Sequence, residues 1–114
     1  EGVQAGAVGW VAGLVNAFPY ESVKLFELAK AGKVDEAFEL YRWFLPLLRM
    51  DTVLKFVQLI KWVQQEMGVG CARVRSPRME LAGSDLEEAK AIFAKAKATR
   101  PQHHERPFAG FAGA

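Results

Sequence analysis

The stretch Gly6-Ala-Val-Gly9-Trp-Val-Ala-Gly13-Leu-Val-Asn16 carries no charge and alternates in side-chain size. Read at period two, Ala7 to Val15 is a short buried strand, with Val8, Trp10 and Leu14 on one face and Ala7, Gly9, Val11 and Gly13 on the other. The second face is mostly small, which suits a crowded location where another backbone or a ligand approaches closely. A strand must pair its backbone donors and acceptors, yet no second convincing strand follows it. The sequence therefore predicts one strand whose sheet is missing.

Everything downstream reads as helix. Pro19 at a first helical position and Gly32 just past the end bracket Pro19 to Ala31, with Glu21 and Glu27 early and Lys24 and Lys30 later. A second helix runs from Val34 through Arg49, with Ala37, Leu40, Phe44 and Leu47 on one face and Pro46 bending or ending its regular part. Asp51 is placed to cap a third helix, Thr52 to Met67, closed by Gly68. Its stripe is Val53, Phe56, Val57, Ile60, Val63 and Met67, while Leu54, Leu59 and Trp62 lie off it, so two neighbours should cover this helix. Val69 to Gly83 is a connector holding Arg73, Arg75, Pro77 and Arg78. Ser84-Asp85-Leu86-Glu87 has capping-box spacing and opens a fourth helix, Asp85 to Ala98, which presents Leu86, Ala89, Ile92, Phe93 and Ala96. Gln102 to Ala114 has no periodicity and reads as a fraying tail.

The whole-chain balance fits one ordinary globular domain: 114 residues, 51% hydrophobic, with 15 basic against 13 acidic side chains. A net charge of +2 gives no basic footprint, so neither nucleic acid nor an anionic membrane surface is an expected partner. Residues 2 to 20 are uncharged, but Gln4, Asn16, Pro19 and four glycines argue against a membrane span. A single cysteine, Cys71, excludes an internal disulfide framework and points to a reducing, cytoplasmic compartment. The chain starts at Glu1 without a signal-peptide pattern, and its beginning reads as cut.

No catalytic constellation emerges from the residues themselves. His103 and His104 lack the spacing of a zinc site. Cys71 has no base near it in sequence, and Lys61, between Ile60 and Trp62, more simply extends its ammonium to water than serves as a Schiff-base nucleophile. Arg73, Arg75 and Arg78 could hold an anion, but such connector arginines more often pair with carboxylates or carbonyls. Ala29-Lys-Ala-Gly-Lys-Val-Asp-Glu-Ala-Phe-Glu-Leu-Tyr41 resembles a tetratricopeptide hairpin, which would make the chain a non-enzymatic interaction module. The similar phrase Ala82-Gly83 to Glu88-Ala89 falls far outside that repeat's spacing of about 34 residues.

Taken in order, Gly6 to Asn16, Pro19, Ala31-Gly32-Lys-Val-Asp-Glu-Ala37, Leu45-Pro46-Leu47, Lys61-Trp62, Met67-Gly68 and Arg75-Ser-Pro77-Arg78 resemble the C-terminal part of the dihydrodipicolinate synthase and N-acetylneuraminate lyase family. The resemblance covers roughly residues 2 to 98. It implies that the chain is the C-terminal part of a (β/α)8 barrel, a fold of about 250 residues, and is mostly α when taken alone. Residues 1–31 become the last strand and helix of the barrel, 32–100 a C-terminal helical extension, and 101–114 a flexible tail.

The chemistry implied by the resemblance is that of a class I aldolase. A strand lysine forms a Schiff base with pyruvate or another 2-oxo acid, a tyrosine relays protons, and no cofactor or metal is needed. Both residues would precede Glu1, so this chain alone is expected to be inactive. Matched through Asn16, Val11 falls where a backbone carbonyl meets the bound keto acid. Ala12 and Gly13 fall where several members place a serine, and this departure weakens a sialic-acid or strict dihydrodipicolinate reading. Tyr41-Arg-Trp-Phe-Leu-Pro-Leu-Leu-Arg49-Met-Asp51 is similar to members that act in hydroxyproline breakdown, the pyrroline-4-hydroxy-2-carboxylate deaminases. The family commonly forms homotetramers, so an oligomer is expected of the full-length protein.

Overall fold

Pro19 lacks an amide proton, which costs nothing in a first helical turn, and α1 (Pro19–Lys30) begins on it. In the computed structural model, which describes residues 1–102, α1 stops as the sequence predicts. Gly32 takes a φ of +73°, the Gly32 amide donates to Ala29 O at 3.1 Å, and the Lys33 amide donates to Leu28 O at 3.0 Å. These two bonds satisfy carbonyls that the helix end leaves open, and the left-handed φ at their centre favours glycine. The expected tail from His103 onward lies outside the described residues.

The second helix, α2 (Val34–Leu48), buries Ala37, Leu40, Phe44 and Leu47, the face read from its 3.6-residue period. Its α-helical part ends soon after Pro46 and tightens into a 3-10 turn, Arg49–Thr52. The third helix, α3 (Phe56–Glu66), starts later than the predicted Thr52. Extended backbone at Val53 separates it from the 3-10 turn, and Asp51 does not cap it. Val53, Leu54 and Phe56 are exposed, whereas Ile60, Trp62 and Val63 are buried. The fourth helix, α4 (Gly83–Ala98), also departs at its start: Gly83, with a φ of +57°, opens it, so Ser84 sits inside rather than at the cap. The expected capping box is not formed, and Glu87 pairs instead with Lys90 at 2.9 Å. The buried face of α4, Ala89, Phe93 and Ala96, is the one expected.

The chain is mostly α, and among the described residues there is no strand. Ala7 to Ala12 has no regular structure and Leu14–Asn16 forms a 3-10 turn, which corrects the expected strand. The physical reason is the one the sequence posed. A strand is held by a ladder, and the amides of residues 8–12 find no backbone acceptor among the described residues. Val8 and Val11 therefore stand exposed.

The main core gathers Leu14, Ala17 and Phe18 with Phe44, Leu47, Met50, Trp62, Val63, Ala89, Phe93 and Ala96, so it draws on every helix or its approach. Phe18 meets Trp43 and Phe44 edge-on at 6.0 and 5.9 Å, and Trp62 meets Phe93 edge-on at 5.7 Å, arrangements that suit the ring quadrupoles. Polar ties fix α4 on the rest. The Trp43 indole donates to Ala96 O at 3.0 Å, and Arg100 Nε donates to the fully buried Glu21 at 2.6 Å. Lys55 pairs with Asp85, joining the start of α3 to the start of α4.

Candidate substrate-facing segment

Gly13 leads into the 3-10 turn, and the turn closes locally: the Asn16 side-chain amide donates to Gly13 O at 2.8 Å, and the Ala17 and Phe18 amides donate to Leu14 O at 3.0 Å. Leu14, Ala17 and Phe18 are all buried, so the apolar face of this turn sinks into the core, while Ala12 and Gly13 before it are half-buried and Val11 stays exposed. One orphan donor of the turn, the Leu14 amide, is satisfied from far along the chain, by Asp51 Oδ2 at 3.2 Å. Burial raises the Asp51 carboxyl above its ordinary value of 3.8, and hydrogen bonding from the Leu14 and Gly13 backbone pulls the other way without prevailing. The carboxylate is packed so closely that a Cβ at position 13 would lie 2.9 Å from Asp51 Oδ2 and 2.9 Å from Ile60 Cδ1. A larger residue at position 13 would therefore have to displace the ends of the Asp51 and Ile60 side chains.

The three candidate substrate-binding residues face different surroundings. Val11 is fully exposed. Ala12 lines a cavity of about 270 Å³ with Trp10, Ser22 and Phe26 on the α1 side. Gly13 abuts Asp51 and Ile60. A larger apolar cavity, about 460 Å³, lies between the N-terminal residues and the α1–α2 hairpin, walled by Trp10, Phe26, Phe38 and Tyr41. No candidate nucleophile reaches it. Cys71 is exposed on the connector, where the Arg73 backbone and then the Arg73 side chain hold its thiol below the usual range. Lys61 is half-buried on α3, and Arg73, Arg75 and Arg78 are exposed. Among the described residues, no group of His, Cys, Asp and Glu side chains could hold a metal ion, and no helix is long and apolar enough to cross a membrane.

Asp51 is the residue that sequence reading misplaced. A carboxylate just before an apolar stripe satisfies every local rule for a helix cap, and nothing in its neighbourhood signals a backbone amide at Leu14 as the partner.

Comparison with known proteins supplies the context that this geometry lacks. The model of the dihydrodipicolinate synthetase family matches residues 1–96. The chain belongs to that family. A relative from Coccidioides immitis (strain RS), provisionally named as a mitochondrial 4-hydroxy-2-oxoglutarate aldolase, is 49% identical over 41 residues. That match takes in 36% of this chain, and the chain spans only 13% of the length of that curated relative. No solved structure matches the chain. The dihydrodipicolinate synthetase assignment agrees with the ordered series of short motifs from Gly6 to Arg78 on which the resemblance rests.

Proposed function

We infer that this chain is the C-terminal part of a Schiff-base-forming lyase, and that the full-length enzyme cleaves a hydroxylated 2-oxo acid in an aldol sense. The family match over residues 1–96 carries the reading. The aldolase name of the fungal relative supports a carbon–carbon bond as the one broken. Residues 1–31 then correspond to the end of the barrel, with the irregular Ala7–Ala12 stretch taking up its closing strand only when paired with the rest of the sheet, and 32–100 to its helical extension. The unpaired backbone of residues 8–12 and the exposed side chains of Val8 and Val11 fit a segment whose ladder partners belong to an earlier part of the polypeptide.

With 4-hydroxy-2-oxoglutarate as substrate, the chemistry balances as follows. A lysine amine from the preceding barrel condenses with the C2 carbonyl and releases water. The C3–C4 bond then breaks, its electron pair moves into the protonated imine to give an enamine, and the C4 hydroxyl gives up its proton as glyoxylate departs. The enamine takes a proton at C3, and water releases pyruvate and restores the lysine. The part of this chain in that reaction is the rim: the Val11 carbonyl meets the keto acid, and Ala12 and Gly13 leave room beside it. Homotetramer formation belongs to the same proposal, and it gives exposed apolar side chains such as Leu54 and Met79 a use as buried contacts.

The test is turnover by the full-length protein, followed through pyruvate release from 4-hydroxy-2-oxoglutarate in a coupled reduction to lactate. Pyruvate and glyoxylate in equal amounts are expected. Ammonia release from a pyrroline hydroxycarboxylate, with no pyruvate from the hydroxy-oxo acid, would move the assignment to the deaminase branch.

A further inference from the structure

The best-defined polar contact between the candidate segment and the helical part is the one made by Asp51. We propose that Asp51 is a positioning residue, a carboxylate supplied by the helical extension that clamps the backbone at Leu14 and so sets where Val11–Gly13 present themselves to a 2-oxo acid. This rests on the reading of Val11–Gly13 as substrate-facing.

Three observations carry it. The Leu14 residue is fully buried, and its amide relies on Asp51 Oδ2, at 3.2 Å, as its acceptor. Residues 8–12 make no backbone hydrogen bonds of their own among the described residues, so on their C-terminal side the backbone is first tied at the Gly13–Leu14 junction. The fit there is tight, since a Cβ on Gly13 would collide with both Asp51 Oδ2 and Ile60 Cδ1 at 2.9 Å. Asp51 itself is held in the 3-10 turn that follows α2, where Met50 is anchored in the core and the Thr52 hydroxyl donates to Arg49 O at 2.7 Å. The clamp is therefore mounted on a rigid base, as a positioning contact requires.

The required property is an acceptor of the right shape, not a charge. Asp51→Asn keeps an oxygen that can accept from Leu14, whereas Asp51→Ala removes it. In the full-length protein, Asp51→Ala is expected to raise KM for the 2-oxo acid about tenfold, the loss of one buried hydrogen bond, with kcat changed less than about threefold. Asp51→Asn should bring KM back to within about twofold of wild type, and hydrogen exchange of the Leu14 amide should accelerate in the alanine variant only. Unchanged KM in Asp51→Ala overturns the proposal and leaves the lyase reading intact, as does a joint fall in kcat and melting temperature with KM unmoved. If the wild-type protein turns over no 2-oxo acid, the lyase reading fails, and the Leu14 amide still decides the clamp. Equal protection in wild type and Asp51→Ala overturns it.

Discussion

Replacing Arg100 by alanine should remove a large share of this chain's stability, although the residue stands at the margin of the fold. Its Nε donates to Glu21 Oε1 at 2.6 Å, and its guanidinium lies 5.4 Å from the Phe18 ring centre. Glu21 is 0% exposed, so the carboxylate cannot recover the lost partner from water, whereas the Arg100 side chain is 38% exposed. Breaking a buried ion pair from one side costs about 3–5 kcal/mol. The open side of the guanidinium and the further interactions of Glu21 reduce that to about 2 kcal/mol, and the ring contact adds about 1 kcal/mol. For a domain of this size, about 3 kcal/mol corresponds to a fall of roughly 12–24 °C in melting temperature. Thermal unfolding of the chain, followed by the helical circular dichroism signal, measures it. Glu21→Gln combined with Arg100→Ala should cost less than the two single changes added, because the second change removes a partner already lost. A drop under about 0.5 kcal/mol for Arg100→Ala, or strict additivity in the pair, would refute the claim that this contact closes the fold.

Three further outcomes follow from the same geometry. Phe44→Ala deletes a fully buried ring that touches Phe18 and should cost about 3–5 kcal/mol in chemical denaturation, with little change if the core were loosely packed. Burial raises the Asp51 carboxyl, so folding takes up a proton there; its contribution is present below 3.8 and is lost as pH rises through the raised value. The stability gained by Asp51→Asn over wild type should therefore grow from about pH 3 to about pH 7, and a flat difference would remove the desolvation argument. Cys71, its thiol held low first by the Arg73 backbone and then by the Arg73 side chain, should be alkylated by iodoacetamide faster than a free thiol at neutral pH. Arg73→Ala should slow that rate only in part, since the backbone bond remains.

The helices were legible wherever a rule acts within a few residues. The period of Ala37, Leu40, Phe44 and Leu47 needed only the geometry of one turn, and Gly32 and Gly68 mark ends because a left-handed φ is a property of the residue itself. Illegibility begins where the partner is distant. Asp51 satisfied a local capping rule and bonded Leu14 instead, and Glu21 met Arg100 across most of the chain. Ser84 and Glu87 had the spacing of a capping box, but Gly83 began the helix before Ser84 could serve. The alternation from Ala7 to Val15 was a real pattern without a ladder, and pattern alone does not make a strand. The candidate site was legible only through family resemblance, because Val11, Ala12 and Gly13 carry no chemistry in their side chains.

The most direct measurement is reductive trapping. The full-length protein is incubated with labelled pyruvate, reduced with borohydride, digested and mapped by mass spectrometry. The account predicts one pyruvate-modified lysine in a peptide that precedes Glu1 of this chain and none at Lys61 or any other lysine within it. A modified Lys61, or no covalent capture of pyruvate at all, would contradict it.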